Sequence, residues 1–180
     1  MINITHGERP TTCLSAVSAV GVGTVRCPRC STKTPWEILY ASLSAMERGM
    51  HAAAPDAELI SWLYMPQGKS PSRDGLADWV YEIPAHTPKG VILQFNFESG
   101  VRRTVFGKEL VGGDYWISTP GPSSRFERIA TTARERQTPI SAKIQTSNSH
   151  ELSTVPDVPV PSLLYQKFAA MRRLGVSHTM

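Results

Sequence analysis

The feature that most constrains this chain is a regular alternation between short apolar runs and segments of helical periodicity. Ile2-Asn3-Ile4 alternates like a strand, and the clearest helix then opens at Thr34-Pro35-Trp36-Glu37. There Thr34 can cap, Pro35 takes the first helical position and Glu37 completes a capping box. Trp36, Leu39, Leu43, Met46 and Met50 fall at spacings of three and four, giving one apolar stripe that ends at Pro55-Asp56. Leu59 to Met65 is a nearly continuous apolar run closed by Pro66, the pattern of a strand covered on both faces. Asp74 to Glu82 reads as a short helix, and Val91 to Phe97 as a second buried strand. Tyr115 to Ser118 reads as a short strand inside a polar excursion, and Ser124 to Arg136 as a helix through Phe126, Ile129 and Ala133. Ile140 to Thr146 is the next buried strand. A helix from Pro161 then packs Leu164, Phe168 and Met171, stops at Gly175, and is followed by strand-like Val176 to Met180.

Strand and helix thus alternate in units of about 35 to 55 residues, which implies parallel strands joined by helical crossovers. Two α/β architectures fit that order. An open doubly wound sheet gathers its site at a switch point and usually carries a phosphate loop; here Gly21-Val22-Gly23 lacks the third glycine and the preceding strand. In a (β/α)8 TIM barrel every strand ends on one shared face. Polar groups do follow the strands: His6 and Glu8 after the first, Tyr64 and Gln67 after the second, Glu98 after the third, Asn148, His150 and Glu151 after the fourth. The expected fold is therefore α/β, a partial (β/α)8 TIM barrel of about five parallel strands with four crossover helices. Residues 1–180 form a single incomplete barrel domain in this reading, covering roughly the fourth to eighth strands, because both ends read as strand interiors.

Composition narrows the function classes. At 180 residues with 41% hydrophobic content, the chain is long enough for one substantial core. Its apolar runs fall well short of the roughly 18 to 20 residues that cross a bilayer, so no membrane partner is expected. A formal charge of +4 is mild, and Arg102-Arg103 and Arg172-Arg173 are not interleaved with aromatics, so nucleic acid is not expected either. No signal peptide is visible at the first residues, which leaves a cytoplasmic and a secreted location both open.

Cleaving a glycosidic bond needs two carboxylates, one to protonate the leaving oxygen and one to attack the anomeric carbon or activate water. Glu8 and Glu151 are the expected pair, with Glu98 as a third catalytic candidate. His6, Trp62, Tyr64, Asn148 and His150 are the expected carbohydrate-binding residues, the aromatics offering flat faces to a sugar ring. Ser149-His150-Glu151 holds triad residue types, but no Gly-x-Ser-x-Gly elbow exists. Cys27-Pro28-Arg29-Cys30, with Cys13 upstream, has metal-ligand spacing: structural zinc, a disulfide and plain thiols all fit, and His6 or His51 is available as a fourth ligand.

Ile4-Thr5-His6-Gly7-Glu8, Cys27-Pro28-Arg29-Cys30 leading into Thr34-Pro35, and Lys143-Ile144-Gln145 through Glu151 to Pro159 carry a family likeness. On these segments the chain resembles bacterial glycoside-hydrolase-like (β/α)8 barrel proteins, related to the retaining-glycosidase clan and to family 20 hexosaminidases. The resemblance implies that the first strand here corresponds to the family's fourth and Ile140 to Thr146 to its seventh. It further implies Glu8 as acid/base, Glu151 as nucleophile, and a zinc-binding cysteine cluster shortly after the acid/base residue, as in family 42 β-galactosidases. Gly7 stands where the clan has Asn and family 20 enzymes have Asp, so substrate-assisted chemistry is not carried over. The implied function is cleavage of a carbohydrate substrate, with the isolated chain inactive. The alternatives are a non-catalytic carbohydrate-binding barrel and a zinc-dependent hydrolase using the cysteines.

Overall fold

A computed structural model of the protein describes residues 1–6, 12–14, 25–64, 76, 78–112, 119–146 and 160–180; the side chain of His6 lies outside this set. Five parallel strands make the main sheet: β1 (Ile2–His6), β2 (Leu59–Leu63), β3 (Val91–Asn96), β6 (Ile140–Lys143) and β7 (His178–Thr179). They stand side by side in the order β1-β2-β3-β6-β7, so the sheet grows in one direction with no reversal. Helix α1 (Pro35–Ala53) joins β1 to β2, and a 3-10 helix, Asp78–His86, joins β2 to β3. Helix α2 (Ser124–Arg136) joins β3 to β6, and α3 (Pro161–Leu174) joins β6 to β7. Crossovers between parallel strands are right-handed, so a one-directional order puts all four on the same face of the sheet.

Local chemistry explains the boundaries. The Thr34 hydroxyl accepts from the Glu37 amide at 3.4 Å and the Glu37 carboxylate accepts from the Thr34 amide at 2.7 Å, the reciprocal box that starts α1. Ser123 caps α2 through the Phe126 amide. Gly175 closes α3 in the left-handed conformation at φ 74°, where its amide reaches back to the Arg172 carbonyl.

The covered face carries the core. Leu63, Leu93, Phe95, Ile140 and Ala142 pack against Leu39 of α1, Val80 and Ile83 of the 3-10 helix, Phe126, Ile129 and Ala133 of α2, and Met171 of α3. Leu59 and Val91 make a smaller cluster with Leu43. Each fully buried side chain of this size contributes about 1.5–3 kcal/mol.

The opposite face belongs to neither cluster. Register places Ile2, Ile60 and Ile92 in one row, and Ile4, Trp62, Gln94, Ser141 and His178 in the next. Asn96 and Lys143 follow at the carboxyl ends. This face runs from an apolar floor to a polar mouth; Ile2 and Ile4 at its β1 edge are about half exposed, at 50% and 44%, whereas Ile92, Gln94 and Ser141 at its centre are buried. His178 Nε2 lies 3.6 Å from the Glu58 carboxylate, although Glu58 precedes β2 and two strands separate β2 from β7. In a flat sheet the two would sit roughly 14 Å apart across the strands and roughly 13 Å apart along them. A glutamate and a histidine together cannot span that, so the sheet is strongly twisted and coiled, which brings these two points together on this face.

Several expectations need correction. β2 is not covered on both faces: Leu59, Ser61 and Leu63 are buried, while Ile60 and Trp62 are only half-buried. The short helix expected at Asp74 to Glu82 is the 3-10 helix Asp78–His86, with Pro84 inside it. Phe168 does not pack inward but is 50% exposed, and Lys167 takes the buried place beside Ala170 and Met171. The polar excursion after β3 contains an antiparallel hairpin, β4 (Val101–Val105) and β5 (Lys108–Gly112), turned through Phe106 and Gly107 at positive φ. Phe106 at its tip is fully exposed. The strand expected at Tyr115 to Ser118 lies outside the described residues. Among the described residues, no helix is long and apolar enough to cross a membrane.

Candidate functional site

The carboxyl ends of β2, β3 and β6 bring together the described residues with the most chemistry. Trp62 and Tyr64, at the end of β2, hold their rings 4.8 Å apart at 58°. The Trp62 indole donates to Asn96 Oδ1 at 2.9 Å, and the Asn96 amide donates to the Tyr64 carbonyl at 3.3 Å. Asn96 therefore holds the Trp62 ring and the Tyr64 backbone from the neighbouring strand; sequence reading placed it inside the buried strand Val91 to Phe97 and gave it no role at the site. One row deeper, the Ser141 hydroxyl donates to Gln94 Oε1 at 3.0 Å. Gln94 Nε2 is buried without a hydrogen-bond partner among the described residues, which marks a place where further structure or water belongs.

Glu98, two residues past β3, is 1% exposed. Its carboxylate pairs with Lys167, which is wholly buried, and accepts the Gln145 amide at 3.0 Å. The same ammonium donates to the Thr119 carbonyl at 2.8 Å. Burial pushes the Glu98 carboxyl above its ordinary range, and the Lys167 ammonium and Gln145 amide pull it back. Lys167 carried a sequence signal that went unused: it stands three residues after Leu164 and four before Met171, on the apolar stripe of α3. A cavity of about 30 Å³ lies between Tyr64, Asn96, Ser99 and Arg125, room for a water and not for a sugar.

Glu8, Asn148, His150 and Glu151 lie outside the described residues, as does the His6 side chain at the end of β1. The structure thus brings Trp62 and Tyr64 together at one mouth and buries Glu98 beside it.

The cysteines form a second constellation. Cys13, Cys27 and Cys30 are free thiols whose sulfurs all lie within 4.8 Å of one another. The Cys27 carbonyl accepts from the amides of Cys30 at 3.0 Å and Ser31 at 2.8 Å, folding the Cys-x-x-Cys segment into a tight turn just before α1. Backbone amides of Arg29 and Cys30 point at the Cys27 sulfur; the Arg29 amide, and then the Cys13 thiol, hold Cys27 below the ordinary thiol range. The Cys13 thiol, donating to Cys30 and Cys27, is pushed up to about 11. A tetrahedral zinc about 2.3 Å from each sulfur needs thiolates roughly 3.8 Å apart, so these fit after closing by no more than about an ångström. His51 is not a fourth ligand. It sits near the far end of α1, roughly 24 Å along the helix from Pro35, and its Nε2 is 2.9 Å from the Ala57 carbonyl.

No family model matches the chain, and no curated protein or solved structure matches it.

Proposed function

We propose that this chain is part of a (β/α)8 barrel that hydrolyses glycosidic bonds, with Glu8 as acid/base and Glu151 as the second carboxylate. The observation that carries the reading is the sheet itself: five parallel strands in unreversed order, the described helices packed on one face, and an opposite face that belongs to neither core cluster and turns polar at the strands' carboxyl ends. A doubly wound sheet would reverse its order and cover both faces. A barrel lumen leaves one face free of helices and gathers its chemistry at the carboxyl ends. The half-exposed Ile2 and Ile4 at the β1 edge of that face, and a Gln94 Nε2 that finds no partner among the described residues, are consistent with further strands packing beside β1.

In this mechanism Trp62 and Tyr64 form an aromatic wall for a sugar ring, stiffened by Asn96. Glu8 gives its proton to the departing oxygen while Glu151 attacks the anomeric carbon, or activates water if the two carboxyl groups stand farther apart. A zinc ion held by Cys13, Cys27 and Cys30 would fix the loop before α1. Three thiolates leave a metal electron-rich and poorly suited to polarising a substrate, so its contribution is structural.

The aromatic pair at the mouth also favours a second reading, a barrel that binds carbohydrate without cleaving it. Turnover of aryl glycosides by the full-length protein, and by Glu8→Gln and Glu151→Gln, separates the two. Hydrolysis lost in both variants with oligosaccharide binding retained is the expected result. Binding by a parent that turns over no glycoside would establish the binder instead.

A further inference from the structure

Glu98 is as buried as the core phenylalanines, and so is its partner Lys167. Removing two charges from water is expensive, and an apolar pair of similar volume would often be as stable. The pair's surroundings indicate what its retention achieves. The Glu98 oxygen that meets Lys167 also accepts the amide of Gln145, two residues beyond β6. Lys167 belongs to α3, the next described element after that point, and its ammonium also holds the carbonyl of Thr119, four residues ahead of the α2 cap. Around one carboxylate, then, meet the end of β3, the exit from β6, the approach to α2 and the body of α3. Between Gln145 and α3 the chain carries Asn148, His150 and Glu151.

We propose that Glu98 is a positioning residue: with Lys167 it clamps the point where the chain leaves β6 toward Glu151 to the helix where it returns, and it does not itself react with substrate. The functional half of this inference rests on the hydrolase reading above; the clamp does not. A catalytic carboxylate must meet the substrate. This one is turned into the protein, with an ammonium and a backbone amide on its Oε1 oxygen.

Two double variants of the full chain test it, both neutral at the pair. Glu98→Gln with Lys167→Met keeps the acceptor for the Gln145 amide, whereas Glu98→Leu with Lys167→Met removes it. Hydrogen exchange at Gln145 is read against Phe97, whose amide is bound to the Lys143 carbonyl at 2.9 Å. The Gln145 amide is expected to exchange about tenfold faster in the leucine variant than in the glutamine variant, with Phe97 alike in both. Glycoside turnover should survive in the glutamine variant with the pH profile of the parent, and fall about tenfold or more in the leucine variant. Equal exchange at Gln145 in the two variants overturns the clamp. Turnover abolished in both with Gln145 still protected in the glutamine variant makes Glu98 a reacting group and overturns the positioning role. A parent without turnover refutes the hydrolase reading alone, since exchange still judges the clamp. If the leucine variant does not fold, Glu98→Ala with Lys167→Met removes the same acceptor with a smaller side chain and is read in the same way.

Discussion

Loading the cysteine cluster with zinc at different pH values tests whether the three sulfurs act as one ligand set. Metal binding takes place on thiolates, so each thiol still protonated must release its proton as the ion binds. Cys13, which donates toward Cys30 and Cys27, keeps its proton up to about pH 11. Cys27 is held low by backbone amides and gives up its proton more readily. Across pH 7 to 9 Cys13 by itself therefore contributes a full proton released per zinc bound, so the apparent affinity should rise at least about tenfold per pH unit, or at least about a hundredfold over the range. Competition against a chromophoric chelator, corrected for the chelator's own protonation, reads this directly. In Cys13→Ser the slope should drop by about one proton, and overall affinity should fall. An affinity flat between pH 7 and 9, or a slope that Cys13→Ser leaves unchanged, would refute a metal site built on these three thiols.

Two further perturbations follow from backbone geometry, both read by thermal or denaturant unfolding. Glycine to alanine should act with opposite sign at two exposed places: Gly49→Ala inside α1, with open space around its Cβ position, should stabilise by about 0.5–1 kcal/mol. Gly175→Ala, equally unobstructed but at φ 74°, should destabilise by about 1 kcal/mol, and equal signs would contradict the assigned conformations. Thr34→Ala should cost about 1 kcal/mol at neutral pH. The Thr34 amide and hydroxyl hold the Glu37 carboxyl below its ordinary range. A depressed folded value contributes stability above the unfolded carboxylate range and loses it as pH falls through the folded one, so the penalty of Thr34→Ala should shrink in acid.

Periodicity made most of the scaffold legible. The apolar stripe and capping box of α1 and the spacing of Phe126, Ile129 and Ala133 in α2 repeat on a period that only a helix satisfies. Val91, Leu93, Phe95 and Ile140 read as strands because their face is packed. What periodicity could not supply was the state of the other face. Ile60 and Trp62 are as apolar as their neighbours, so a run of them looks doubly covered whether or not a cover is present. The β4–β5 hairpin was hidden for a related reason: its central residues Arg102, Arg103 and Thr104 are exposed and show no apolar alternation. At the site, Trp62 and Tyr64 were readable as aromatics at a strand end. The place of Lys167 on the apolar stripe was visible, but its burial was not, because a lysine there is ordinarily a stem that snorkels outward, and it is Glu98 and the Thr119 carbonyl, both distant in sequence, that make burial tolerable. The cysteine spacing was readable in sequence, while the approach of Cys13 to the Cys27–Cys30 turn is a tertiary fact.

The unreversed strand order also has a consequence for how the chain can be made. Each strand of the main sheet pairs with the strand that precedes it in that sheet, across a single crossover. No segment has to wait for a remote one to be inserted between two neighbours already formed, as a switched order would require. Loop closure is thus met in instalments rather than in one long span. A chain emerging from the ribosome can lay β2 on β1, β3 on β2, and so on as synthesis proceeds. At every stage of that growth the newest strand presents a fresh edge, and the next strand to leave the ribosome is the one that fits it.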